Sequence, residues 1–212
     1  VGDFLYSRAF EMMVDANDMR IMEVMSHATN TIAEGEVLQL LNCHDADTTK
    51  QRYMEVVRRK TAKLFEAAAR LGAILGKQNE NTEQALANYG MHLGVAFQLI
   101  DDVLDYSASP EDTGKNLGDD LAEGNPTLPL LHAMSTGTAE QALLIRKAIE
   151  NGGHDNMSAV FSAIESTGGI PYTAQAAKQE ADQAISAIES LPASPYKEAL
   201  YSLAEFSVNR AY

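Results

Sequence analysis

Cysteine is almost missing from this chain: Cys43 is the only one in 212 residues, and there is no tryptophan at all. A lone thiol can form no internal disulfide and cannot build a thiolate zinc cluster, so neither device holds the fold together. That usage fits a reducing compartment, and a cytoplasmic protein is expected. Positive charge is scarce too. Sixteen Lys and Arg stand against 30 Asp and Glu, for a formal net charge of -14. Such a surface disfavours nucleic acid and anionic lipid as partners, and any anionic ligand needs a local answer from metal ions or a few placed lysines. No apolar run is long enough to cross a bilayer, so no transmembrane segment is expected. No basic stretch followed by an apolar core opens the chain either. Strand signals, namely clustered β-branched residues and strict alternation, are also rare.

What the chain does have is Ala, Leu, Met, Glu and Gln recurring at three-and-four spacing, which predicts an all-α fold. The length fits one helical domain over 1–212. Helices are expected near 2–15, 18–42, 48–75, 81–106, 126–135, 138–151, 155–166, 171–190 and 195–211. Thr48-Thr49 and Asn81-Thr82 suit N-caps, Gly152-Gly153 and Gly168-Gly169 suit stops, and Pro171 and Pro195 suit first turns. The longest loop, from about Ser107 to Asn125, is rich in Gly, Asp and Lys, and loops of that length in compact domains tend to carry function. The opening VGDFLYSRAF reads as a helix met in mid-sequence, so further chain is expected upstream.

Chemistry concentrates in GMHLGVAFQLIDDVLDY. A rotation of 100° per residue puts Leu86, Leu93, Phe97, Ile100 and Leu104 on one helix face. Gln98, Asp101, Asp102 and Asp105 fall together on another. A solvated acidic face is the plain alternative, but these acids lie near a helix C-terminus, where the macrodipole opposes negative charge. They also repel one another and have apolar rather than basic neighbours. A hard cation relieves all three problems, so Asp101, Asp102 and Asp105 are candidate metal ligands. Lys60 projects into an apolar stripe of Tyr53, Val56, Val57, Leu64, Ala67 and Leu71, where an ammonium must snorkel outward or find an anion. Thr61 adjoins it, while Arg58 and Arg59 suit surface contacts. Gly35 and Gln39 interrupt the stripe of Ile21, Val24, Ala28 and Ile32, so Gln39 faces a polar cavity or another helix. In GKNLGDDLAEGNPTLP, glycines at 114, 118 and 124 permit close backbone approach and Lys115 offers a point charge to phosphate.

Together GDFLYSRAF, GEVLQL, RRKTAKLFEAAARLG, FQLIDDVLDY and GKNLGDDLAEGNPTLPLLHA resemble the trans-prenyl diphosphate synthases. The resemblance spans nearly the whole chain, and the order FQxxDDxxD, GKxxGxD, TLP is specific. The GDDLAEGNPTLPLLHAM stretch looks closest to bacterial members of the octaprenyl type. The resemblance implies a helical bundle and an Mg2+-dependent enzyme that adds isopentenyl diphosphate to an allylic diphosphate. It implies a homodimer as well, for which Phe4, Leu5, Phe10 and Met13 offer an apolar surface that could equally cover upstream helices. It implies that Asp101, Asp102 and Asp105 match the second aspartate-rich motif, which holds Mg2+ bridging to the allylic diphosphate. Lys60 and Thr61 match the family's KT pair, Lys115 its diphosphate-contacting lysine, and Gln98 the glutamine near the reacting allyl group. Asp120 matches the Asp of GKxxGxD, with Asp119 a bystander.

Two departures stand out. Asn125 occupies a place where many relatives carry lysine. The first aspartate-rich motif belongs upstream of GDFLYSRAF, and His44-Asp45-Ala46-Asp47 is a polar turn that lacks its paired spacing. This stretch is therefore expected to be a C-terminal fragment, inactive by itself. A terpene cyclase is disfavoured by the KT and GKxxGxD elements; a non-catalytic helical partner subunit of a prenyl synthase remains as the alternative.

Overall fold

A computed structural model describes residues 1–107, 118–153 and 156–209, and among these every regular element is helical. Helix α1 spans Gly2–Asp15 and α2 spans Met19–Asn42. One long rod follows, made of α3 (Lys50–Val56), a π-helical turn (Val57–Ala62) and α4 (Lys63–Leu75). Helix α5 covers Glu80–Ser107 and the short α6 covers Asp119–Ala122. Then come α7 (Leu128–Thr136), α8 (Ala139–Asn151), α9 (Met157–Ser166), α10 (Gly169–Ala187) and α11 (Pro195–Val208). No helix among the described residues is long and apolar enough to cross a membrane.

Capping chemistry sets the boundaries. The Thr49 hydroxyl accepts from the Arg52 N–H at 3.2 Å and starts α3. Thr138 and Gln141 form a reciprocal capping box at α8. Gly152 and Gly168 adopt φ values of 78° and 73°, the left-handed conformation that ends one helix before the next. The cap of α5 lies earlier than Asn81-Thr82: the Asn79 carboxamide accepts from the Thr82 N–H at 3.0 Å, so the helix opens at Glu80. The end of the expected loop folds as well, into α6.

Helix α5 is the axis of the bundle. At 1.5 Å per residue its 28 residues run roughly 42 Å. The expected single apolar face is corrected here. Leu86, Phe97 and Leu104 are only partly covered, whereas Val95, Ala96, Leu99 and Val103 are buried. The reason is that the α3–α4 rod packs on one side of α5 and α10 on another, so burial runs around the helix. Leu64 also leaves the expected stripe on the rod and is exposed, because the π turn changes the register between Tyr53 and Ala67. Helix α1 buries no residue, and Phe4, Leu5, Tyr6 and Met12 face outward.

Glycines fix how closely the rod is held. A Cβ at Gly35 of α2 would lie 2.6 Å from the Lys60 main-chain nitrogen, and one at Gly94 of α5 would lie 2.5 Å from the Ala62 Cα. A Cβ at Gly90 would strike the Phe65 carbonyl oxygen. The rod is thus clasped, backbone to backbone, between α2 and α5. At one end of the clasp, the buried Glu83 carboxylate of α5 accepts from Arg70 Nε of α4 at 2.8 Å and from Arg20 of α2. Those two guanidinium groups, Arg70 foremost, hold the Glu83 carboxyl below the usual carboxylate range.

Gly94→Ala is therefore expected to cost about 1–3 kcal/mol, since backbone atoms must move to admit one methyl. Gly72→Ala, where no atom lies within 4 Å of the new Cβ on an exposed helix position, should gain roughly 0.5–1 kcal/mol. Urea unfolding of both variants checks the pair; equal effects would refute the close-approach reading.

Candidate functional site

A cavity of about 220 Å³ opens between α2, the π turn, α5 and the segment after α6. Its wall carries Gln39 and Asn42 from α2, and Tyr53, Val56, Val57, Lys60 and Thr61 from the rod. Gln98 and Asp102 come from α5, and Asp120, Glu123, Asn125, Pro126 and Thr127 complete it. Four stretches of sequence thus meet in one place.

The Lys60 ammonium, on the π turn, ion-pairs with Glu36 at 2.8 Å and donates to the Gln39 carboxamide oxygen. It neither reaches away into solvent nor lies unpaired. Beside it the Thr61 hydroxyl donates to Gln98 Oε1 at 3.0 Å, and Gln98 Nε2 donates onward to Asp102 Oδ1 at 3.0 Å. The other Asp102 oxygen accepts from the Tyr53 hydroxyl. A relay of four side chains therefore ties the rod to α5 across the cavity. Asp102 is 1% exposed. Burial first, then the charge of Asp120, pushes its carboxyl up to about 8 against the pull of Tyr53 and Gln98.

Asp105 points to the start of α6. Its carboxylate accepts from the main-chain N–H groups of Asp119 and Asp120 at 3.2 and 3.3 Å, while its carbonyl accepts from Gly118 N–H at 2.9 Å. Gly118 has φ of 78°, which brings those amides round. Burial and the Asp120 charge raise Asp105 to about 7 despite the amide hydrogen bonds. Next to the cavity, Asn125 accepts from the Cys43 thiol at 3.0 Å and donates to Glu123 at 3.1 Å.

Of the candidate residues, the structure gathers Lys60, Thr61, Gln98 and Asp102 on one wall system. Asp101 and Asp105 lie outside that lining, although the Asp101 charge is felt by Asp102. Lys115 falls outside the described residues. Tyr53 escaped the sequence reading as a site residue because it counts as one more apolar position of the rod. Local spacing gives no signal for it, because the π turn between Tyr53 and Lys60 shifts the phase that α-helical period would assign.

The fit of this set to a divalent ion is chemical. Asp101, Asp102, Asp105 and Asp120 supply hard oxygen donors, and the burial and then the Asp120 charge that raise Asp102 and Asp105 are what such an ion would offset. Among the described residues no three His, Cys, Asp or Glu side chains are grouped to hold a metal ion unaided. Asp102 commits its oxygens to Tyr53 and Gln98, and Asp105 to two amides, so these acids offer one side of a site rather than a cage.

Comparisons with known proteins give the family. The family model described as Polyprenyl synthetase matches residues 1–166. The chain belongs to the polyprenyl synthetase family. It is 54% identical to octaprenyl diphosphate synthase of Escherichia coli (strain K12) over 211 residues, covering 99% of this chain and 65% of that protein. It is 52% identical to octaprenyl diphosphate synthase of Haemophilus influenzae, covering 100% of this chain and 65% of that protein. The polyprenyl synthase from Caulobacter crescentus, solved with calcium and isoprenyl diphosphate, superposes with a TM-score of 0.94 at 41% identity, over 100% of this chain and 65% of that one. The chain thus spans 65% of the length of these family members. A decaprenyl diphosphate synthase from Rhodobacter capsulatus superposes with a TM-score of 0.91 at 38% identity, over 100% of this chain and 66% of that one.

The raised Asp102 carboxyl carries a sign that can be checked. A carboxyl titrating near 8 when folded and near its ordinary range when unfolded costs stability as pH rises between those values. Asp102→Asn removes that titration. In metal-free buffer its melting temperature should gain on the parent steadily from pH 5 to pH 8, on top of a constant offset. Parallel melting curves across that range would place the Asp102 carboxylate in water rather than in the protein.

Proposed function

We propose that the protein elongates an allylic diphosphate head-to-tail with isopentenyl diphosphate, yielding a long trans-polyprenyl diphosphate of the octaprenyl type that serves quinone side chains. The observation that carries this reading is the convergence of Lys60, Thr61, Gln98 and Asp102 on one cavity, cation on one wall and acids on another. The identity to octaprenyl diphosphate synthases supports the product class.

In this mechanism Lys60 exchanges its Glu36 partner for diphosphate oxygens, and Lys115 adds a second positive charge. Asp101, Asp102 and Asp105 would hold Mg2+, whose positive charge would stabilise the negative charge that builds on the departing diphosphate. The Tyr53–Asp102–Gln98–Thr61 relay fixes the carboxamide and hydroxyl oxygens that face the allylic carbon as its C–O bond breaks. Val56 and Val57 line the apolar side, where displaced water favours alkene attack over hydrolysis. The attack forms the new C–C bond and leaves a cation on the added unit, which loses a proton to the released diphosphate and so restores a double bond. The reaction takes place in the cytoplasm by this reading, and the exposed apolar surface of α1 with Val37, Leu40 and Leu41 of α2 pairs with a second copy.

The test uses the full chain joined to the upstream residues expected above, with radiolabelled isopentenyl diphosphate, an allylic primer and Mg2+, and product length read by chromatography; the stretch of 212 residues alone should not elongate. Asp101→Ala should lower turnover by about two orders of magnitude or more with circular dichroism unchanged, and Lys60→Ala should raise the allylic KM by about tenfold. Near-normal turnover by Asp101→Ala would remove this aspartate from the reaction. No elongation by the full chain, with diphosphate binding retained, would favour a regulatory subunit.

A further inference from the structure

The turn that follows α2 reaches no reacting group, yet it grips the stretch of chain that brings two acids to the cavity wall. The His44 N–H donates to the Gly124 carbonyl oxygen at 2.9 Å, and the Cys43 thiol donates to Asn125 Oδ1 at 3.0 Å. The His44 ring lies across the Gly124 α-carbon, where a Cβ would stand 2.4 Å from Nδ1 and 2.5 Å from Cε1. Glycine alone leaves the ring that room. Nδ1 faces the Ile149 carbonyl oxygen at 3.0 Å, in the last turn of α8. A carbonyl oxygen only accepts, so Nδ1 carries the proton and donates. One residue thus joins the end of α2, the segment after α6 and the end of α8.

His44 holds this place in a conformation that side chains seldom adopt, with φ of 60°. Such a residue persists where its surroundings over-determine it, and that happens most often near functional sites. What it grips is a closed turn. The Asn125 N–H donates to the Asp120 carbonyl oxygen and the Gly124 N–H to that of Leu121, each at 2.9 Å, while Asn125 Nδ2 donates to Glu123 at 3.1 Å. Leu121 is fully buried behind the turn, so close to α8 that a Cβ at Gly153 would lie 2.7 Å from its Cγ. Asp120 and Glu123 line the cavity from this turn, and the Asp120 N–H is one of the two amides that engage Asp105.

We propose that His44 is a positioning residue for the site of the reaction proposed above, a reading on which this inference rests. By pinning Gly124 between α2 and α8, it sets where Asp120 and Glu123 stand, and with them how tightly the site takes Mg2+ together with diphosphate. It acts through Gly124 and touches neither. Groups that orient metal ligands from behind commonly change metal affinity by roughly 10–100-fold when they are removed.

Three substitutions in the full chain with its upstream residues separate this role from a contribution to folding alone. His44→Gly keeps the positive φ and loses the ring. His44→Asn also tolerates that φ and places an amide N–H where Nδ1 stands, whereas His44→Gln carries its amide one bond too far. Calorimetry follows Mg2+ binding in the presence of inorganic diphosphate, deuterium exchange follows the amides of Asp119, Asp120 and Asn125, and elongation is assayed across Mg2+ concentrations. His44→Gly should weaken Mg2+ binding about tenfold and raise the Mg2+ needed for half-maximal turnover by the same factor, with the KM for isopentenyl diphosphate unchanged. The three amides should exchange faster while those of α10 do not. Asn should restore all of these and Gln should not. Gly124→Ala should also do less harm in the His44→Gly background than in the parent, because the ring it strikes is gone. Unchanged Mg2+ binding by His44→Gly would overturn the proposal, and so would a lower melting temperature as its sole effect, or equal behaviour of the Gly and Asn variants. A parent that binds Mg2+ with diphosphate but does not elongate would refute the reaction instead, leaving the role of His44 to be decided by binding and exchange, which need no turnover.

Discussion

The separation between helix axes around the rod of α3, the π turn and α4 governs the rest of the molecule. Gly35 lets α2 touch the main chain at Arg59 and Lys60, and Gly94 and Gly90 let α5 touch it at Ala62 and Phe65. With any side chain at these places the backbones would stand apart. The Lys60 ammonium would then lose Glu36 and Gln39, and the Thr61 hydroxyl would draw away from Gln98. Contacts of that kind need heavy atoms within about 3 Å, so a shift of an ångström at the backbone removes them. The polar site is therefore a by-product of tight apolar packing rather than an arrangement that polar groups hold by themselves.

Charge in this region is exchanged rather than stored. Arg59 reaches Glu55 at 2.6 Å and Glu34 at 2.7 Å, Arg52 reaches Asp45 at 2.8 Å, and Lys60 reaches Glu36 at 2.8 Å. Each of these pairs is partly open to water, where an ion pair contributes little net stability. A protein with net charge -14 can thus present a cation to an anionic ligand without first breaking a strong internal contact. The acids behave differently. Asp102 is sealed among Tyr53, Gln98 and the α5 packing, so its charge state responds to what enters the cavity.

Much of this was readable from residue pattern, because helices announce themselves by period and by caps. Thr49, Pro195, Gly152 and Gly168 mark boundaries through chemistry confined to a few neighbouring residues. The polar interruption at Gln39 signalled a cavity or a neighbouring helix, because a carboxamide on a core-facing stripe needs a partner, and the structure places it on the cavity wall. What escaped depends on residues distant in sequence. The burial of α5 on several sides follows from α10, about ninety residues later, which periodicity within α5 cannot reveal. The engagement of Asp102 by Tyr53 and of Asp105 by the amides of Asp119 and Asp120 likewise needs the rod and α6 in place. Helical spacing alone projects Asp101, Asp102 and Asp105 alike; their partners make them different.

The π turn between Val57 and Ala62 has a geometric meaning of its own. A helix that takes one extra residue in a single turn changes phase: side chains before and after it point in directions that one uninterrupted α-helix could not reconcile. Upstream, Tyr53 and Val57 join the cluster around Leu99 and Leu128; downstream, Ala67 and Ile74 join the cluster with Ile21 and Ala28. The rod serves two cores at two angles, and Lys60 and Thr61 stand at the joint. Shortening the chain by a residue there would restore an ideal helix and lose one of the two cores, so helical regularity and packing are opposed at this turn.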